Sequence, residues 1–237
     1  MAKVYKSSNP NRTRMGLCYA GAGLAAAGAA ACVFCMFYFK REIFLLACLT
    51  AAACAAVWKL WQQAHVLQSG LLGESKAAKA LAGLPAGYTV LCNQKLFVGA
   101  QRAEADALVV GPNGVSVVEV KNHAGSILGE AGGKTWRQTR LVKGGKPIEK
   151  TLPNPLLQNE RQVQLVRRIL GGEDVKCAVT GFVYFVNPYI SVHVRGAEVY
   201  TDAAALCRAV QRPRTPGLTA GEAKKAVKLL QENGRLQ

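Results

Sequence analysis

Acidic residues are scarce in this chain. Only 14 Asp and Glu stand against 30 Lys and Arg, which leaves a formal net charge of +16 over 237 residues. That excess of positive charge points to phosphates as partners, in nucleic acid or on an anionic membrane surface. Cysteine is also too sparse, at 8 residues, for a short disulfide-stapled scaffold. Histidine is rarer still, and His65 and His193 have no partner pattern. No internal repeat is visible. Disorder throughout is excluded, because 50% of the residues are hydrophobic. The length allows one domain with an appendage, or two small domains.

The scarce acids are unevenly placed. Residues 1–70 hold 7 Lys and Arg and a single acid, Glu42. Gly16 to Phe39 is a run of 24 residues with no charge at all. At a rise of about 1.5 Å per residue, a helix of that length crosses a bilayer core. Lys40, Arg41 and Glu42 interrupt it, and Ile43 to Trp58 is a second uncharged run; Lys59 can snorkel, and Leu60 and Trp61 extend the run. Tyr38 and Phe39 at one end, with Trp58 and Trp61 at the other, suit an interfacial aromatic belt. A cleaved signal peptide calls for a shorter apolar core and a small-residue cleavage site. A lipoprotein site at Ala29-Ala30-Ala31-Cys32 is disfavoured because the apolar run continues past the cysteine. Cys32 and Cys35 read as two small residues on one helix face.

The expected organisation is a basic tail over 1–15, a two-span membrane anchor over 16–61 and a soluble domain over 62–237. Lys3, Lys6, Arg12 and Arg14 precede the first span, and Lys59, Lys76 and Lys79 follow the second. The positive-inside bias then puts both chain ends in the cytoplasm, with the anchor in the inner membrane of the cell.

The soluble part alternates helix and strand signals. Leu71 to Ala82 reads as a helix, Tyr88 to Cys92 as a strand, and Trp136 to Val142 as a strand followed by a turn at Lys143 to Lys146. Asn154 caps a helix that has Pro155 at its first position and stops at Gly171. Cys177 to Val186 is β-rich, and Ala197 to Tyr200 is short and extended. Thr219 to Glu222 is a capping box that opens a final helix ending before Gly234. The fold class is α/β.

The chemistry concentrates in one hairpin. Strands Glu104–Val110 and Val115–Lys121 flank the turn Gly111-Pro112-Asn113-Gly114. In a symmetric hairpin about that turn, Asp106 lies opposite Glu119 on the same side, and Lys121, two residues on, shares that side. Glu104 falls opposite Lys121. Val115, Val117, Val118 and Val120 make the second strand apolar on both faces, so it reads as central and buried. Two carboxylates facing each other repel. A divalent cation such as Mg²⁺ or Mn²⁺ offsets that repulsion and takes hard oxygen ligands. A lysine beside them acts on a water or a phosphate.

These pieces resemble a known family. Gly73-Glu74, Leu84-Pro85 with Tyr88 and Val90-Leu91, Ala105-Asp106 through Val115, and Val118-Glu119-Val120-Lys121-Asn122 appear in order. Gly125 and Ile127, Trp136, and Asn154-Pro155-Leu156 with Gln158 follow. From about residue 70 to 171 the chain is similar to the nuclease-related (NERD) domain, a branch of the PD-(D/E)XK restriction-endonuclease-like superfamily. The resemblance implies a mixed central sheet flanked by helices and metal-dependent hydrolysis of nucleic-acid phosphodiesters, DNA being the expected substrate. It further implies Asp106 and Glu119 as metal ligands supported by Glu74, Lys121 as the superfamily lysine, and Gln158 as a polar residue near the active site. Ala105 replaces the superfamily's proline.

Arg161, Arg167 and Arg168 share a helix with Gln158, and Lys134, Arg137 and Arg140 lie on a basic segment. All six are candidates for phosphate contact, with solvated charge as the competing reading. His123 reads as a polar residue at a strand end. Two other functions stay open at this level. One is a tethered nucleic-acid-binding protein that does not cut, and the other is a membrane protein whose soluble domain binds a protein partner.

Overall fold

The computed structural model describes residues 1–39, 42–141, 144–194 and 198–234. The expected hairpin-loop cations Lys40 and Arg41, the strand end and turn at Val142 and Lys143, and Ala197 lie outside the described residues.

The N-terminus departs first from a simple tail. Lys3–Lys6 is a strand, β1, too short for its alternation to stand out in the sequence. Pro10–Phe39 is helix α1 and Ile43–Ala82 is helix α2. Both are long and apolar enough to cross a membrane, and almost none of their apolar windows is buried. The helix expected over 71–82 is the last part of α2. Trp61 to Leu72 contains no proline and only one glycine, so the composition change near Gly70 leaves the backbone helical.

Two compact units result. One is Asn9–Leu72; the other joins Met1–Ser8 to the chain from Gly73 onward. In the second unit, β2 is Thr89–Val98, β3 is Gln101–Gly111 and β4 is Gly114–Lys121. Strands β5 (Gly125–Leu128), β6 (Thr135–Arg140) and β7 (Ile148–Pro153) follow. Helix α3 spans Pro155–Gly171. Then come β8 (Val179–Phe185), β9 (Ile190–His193), β10 (Val199–Tyr200), α4 (Ala203–Val210) and α5 (Ala220–Asn233).

The main sheet is mixed, in the order β1-β2-β3-β4-β8-β10, and a second sheet runs β7-β6-β5-β9. Strand β4 lies between antiparallel β3 and parallel β8, the buried central place its run of valines required. On one face, Leu81, Val90, Val109, Val118, Phe182 and Leu206 form a core with the end of α2 and with α4. On the other, Leu108, Val117, Val163, Val166, Ala226 and Leu230 pack beneath α3 and α5. The capping box of Thr219 and Glu222 is present in both directions.

The register sets the site. The hairpin turns as expected, with pairs from Gly111↔Gly114 to Ala107↔Val118. The ladder ends there, one residue short of Asp106 and Glu119. The β2–β3 ladder is also interrupted at Asn93 and Asp106, and Asn93 has a positive φ of 55°. On either side of this gap the packing alternation inverts: Ala103 and Ala105 join the face of Leu108, whereas Ala107 turns to the other. Such an interruption re-aims a side chain, and here that side chain is Asp106.

Gly181 on β8 is required by close approach. A Cβ there would collide with the Oδ1 of Asn159 on α3. Gly181→Ala is therefore expected to cost on the order of 2 kcal/mol of stability. Thermal unfolding of the full chain checks this, and an unchanged midpoint would show that α3 yields freely.

Candidate active site

Helix α3 begins at a well-made cap. The side chain of Asn154 accepts the N–H of Leu156, and its amide donates to the carbonyls of Ala131 and Gly133. This fixes the first turns of α3 over β4 and brings Gln158 and Gln162, one helical turn apart, to one place. Gln162 is only 1% exposed. Its Nε2 donates to Glu119 Oε2 at 2.7 Å and to the Glu104 carbonyl at 2.8 Å. Asn159 donates to the Val117 carbonyl at 3.1 Å and to Gln162 Oε1 at 3.3 Å, so the amide is oriented from both sides.

Glu119 is likewise 1% exposed. A carboxylate so deep requires partners. Lys121 supplies one, its Nζ donating to Glu119 Oε1 at 2.6 Å, and the same ammonium donates to Gln158 Oε1 at 3.0 Å. Glu104 does not take the place expected for it. The β3–β4 ladder ends before reaching it, and on its other edge it lies opposite Lys95 of β2.

Asp106 reaches β4 through its carboxylate, Oδ2 accepting the Val120 N–H at 2.7 Å. Burial and then the negative charge of Glu119 push its pKa up to about 8; the Val120 hydrogen bond and Lys121 oppose that rise, and Glu74 adds to it. Glu74 sits half-buried on α2 beside Gly73, where a Cβ would come within 3.0 Å of Asn122 at the exit of β4. The five residues Glu74, Asp106, Glu119, Lys121 and Gln158 thus occupy one neighbourhood.

The basic candidates separate. Arg161, Arg168 and Lys134 line a groove of about 850 Å³ with Arg102, Gln158 and Gln162. Arg168 is held by Gln101 at 2.6 Å. Arg167 points elsewhere, donating to the Val179 carbonyl at 2.9 Å and so tying α3 to β8. Arg137 lines a different depression with Leu128 and Thr151. Arg140 lies near His123, whose pKa is lowered by burial, then by the charges of Lys121 and Arg140.

The NERD family model, described as a nuclease-related domain, matches residues 69–186. Over these residues the chain belongs to the NERD family. A restriction-endonuclease-like superfamily membership is consistent with that match and with the mixed sheet. No curated protein and no solved structure matches the chain. The NERD segment extends past the expected boundary near 171 to take in β8, the parallel neighbour of β4.

Gln162 and Asn159 were not visible as site residues in the sequence, although Gln162 follows Gln158 by one helical turn on a clearly capped helix. As for a metal, among the described residues no group of three or more His, Cys, Asp or Glu side chains is close enough to hold one. The donor chemistry of the pair nevertheless fits a hard divalent cation: both are carboxylates, and after burial the charge of Glu119 is the next cause of the raised Asp106 pKa.

Proposed function

We propose that this protein is a membrane-anchored, divalent-metal-dependent nuclease that hydrolyses nucleic-acid phosphodiester bonds, with DNA as substrate. One observation carries the reading: Asp106 is held on the N–H of Val120, the residue after buried Glu119, with the Lys121 ammonium directly on Glu119. Asp106 and Glu119 would hold Mg²⁺ or Mn²⁺, with Glu74 in support. The metal, when bound, would supply charge stabilisation at the phosphate. Lys121 orients a water or neutralises a phosphate oxygen, and Gln158 holds its ammonium in place. Gln162 fixes the rotamer of Glu119. The groove with Arg102, Lys134, Arg161 and Arg168 offers four cations to a phosphate backbone.

For the anchor, supporting evidence comes from β1. Residues 1–8 belong to the same compact unit as the NERD domain, so the segment between them must return to the side from which it left. An even number of spans satisfies that; α1 and α2 supply two. Charge bias favours the cytoplasmic side.

The test is cleavage of DNA and RNA, single- and double-stranded, by the full chain in detergent with Mg²⁺ or with EDTA. Metal-dependent cutting supports the reading; binding without cutting under every condition favours the tethered binding protein. That second reading draws on Lys121, which already neutralises Glu119 without a metal. On either reading, affinity should fall steeply with salt, and Arg161→Gln with Arg168→Gln should flatten the slope of log affinity against log salt by about 1–2. Filter binding between low and moderate salt checks this, and an unchanged slope would remove those arginines from the phosphate path.

A further inference from the structure

The unit Asn9–Leu72 contains a groove of its own, about 700 Å³, lined by residues of both helices. Arg14, Leu17 and Cys18 come from α1, and Lys59, Gln63 and Val66 are among those from α2. Cys18 Sγ approaches Gln63 Oε1 at 4.0 Å, and a Cβ on Gly21 would lie 3.2 Å from Leu60, so the two helices run side by side in opposite directions here. The groove thus sits where α1 begins its uncharged run and α2 ends its own.

Among the described residues its two cations have no anion: neither Arg14 nor Lys59 forms an ion pair. Glu42, at the start of α2, is the only acid in residues 9–72, and more than ten residues of helix separate it from Lys59. Meanwhile Leu17 and Val66 are exposed, at 67% and 73%. Apolar walls with two unmatched cations, at the mouth of a membrane hairpin, call for an amphiphile of negative charge.

We propose that this groove binds one anionic phospholipid from the surrounding leaflet. Arg14 and Lys59 take the phosphate, Arg14 through paired N–H donors, and Gln62 and Gln63 donate to the headgroup. An acyl chain lies along Leu17, Val66 and Leu67. This inference rests on the two-span reading.

The experiment is native mass spectrometry of the full chain in detergent, titrated with phosphatidylglycerol or with phosphatidylcholine of the same chains. Wild type should retain phosphatidylglycerol about twenty-fold more strongly. Arg14→Gln with Lys59→Gln should lose that preference, and Arg14→Lys with Lys59→Arg should restore most of it. Equal retention of the two lipids, or an unchanged preference in the neutral variant, overturns the proposal. So does equal binding of water-soluble glycerol phosphate, because the groove would then read phosphate without needing a lipid. Resistance of the protein to alkaline extraction from membranes separates the two levels. A protein that extracts loses both the anchor and the lipid site, whereas one that resists yet shows no lipid preference loses only the site.

Discussion

Asp106→Asn should abolish metal-dependent cleavage and, in the absence of metal, make the protein more stable at pH 8 than the wild type. The two halves share one cause. Burial and the charge of Glu119 raise Asp106 to about 8, well above the 3.8 of an unperturbed carboxyl. Between those values the folded wild type holds a proton that the unfolded chain has released. The stabilisation this provides is complete below about pH 4 and is lost as pH rises through 8. Asparagine has no proton to lose, although it alters the bond accepted from Val120. In EDTA, the melting temperature of wild type should therefore fall relative to Asp106→Asn between pH 5 and pH 9. Adding Mg²⁺ at pH 8 should raise the wild type and leave the variant unmoved. Equal Mg²⁺ binding by both proteins in calorimetric titration would remove Asp106 from the metal site. A pH-independent difference in melting would mean that Asp106 is solvated.

Lys121→Ala should give the other pattern: metal binding retained and cleavage reduced by about 10²–10⁴-fold, the range for losing a group that acts on a proton or a developing charge. Its ammonium is bound to Glu119 and Gln158, so removing it leaves Glu119 with Gln162 alone. A carboxylate with one fewer cation attracts Mg²⁺ more strongly, and a modest gain in metal affinity is expected alongside the lost activity. Gln158→Ala tests the supporting role. It leaves the ammonium on Glu119 but frees it on the other side, and a smaller loss is expected than for Lys121→Ala. Retention of full cleavage by Lys121→Ala would falsify its role at the phosphate.

The hairpin and its central strand were legible because their signals are local. A Gly-Pro-Asn-Gly turn fixes a register, and four valines in β4 indicate burial on two faces. Asn154 and Pro155 announced α3 for the same reason. What lay beyond reach depended on contacts distant in sequence. Extending the hairpin to Asp106 assumed a regular ladder, but the gap at Asn93 and Asp106 depends on the far half of β2, which was not read as strand although a turn at Gly99 and Ala100 joins it to β3. Gln162 became part of the site because Gly181, on a strand far along the chain, leaves room for Asn159. Strands β5, β7 and β9 are short and partly exposed, so their alternation is weak, and the second sheet they form with β6 could not be read from periodicity.

Strand β1 gives the two long helices an unusual status in the order of events. Because Lys3–Lys6 pairs with β2, the two long helices stand in sequence between two neighbouring strands of the main sheet. Pairing closes a loop of about 80 residues, and that closure can occur only after the intervening chain has been made. On the two-span reading, the ribosome delivers the edge strand first, then both spans, and only then its partner. A hairpin that fails to return its second end to the starting side leaves β2 with an open edge, the kind of surface that recruits other chains or proteases. On that same reading, completion of the sheet would report that membrane insertion has succeeded. A fragment that starts at residue 62 would lack this strand. A shortened soluble form would need Met1–Ser8 joined to Gly73 by a linker in place of the spans.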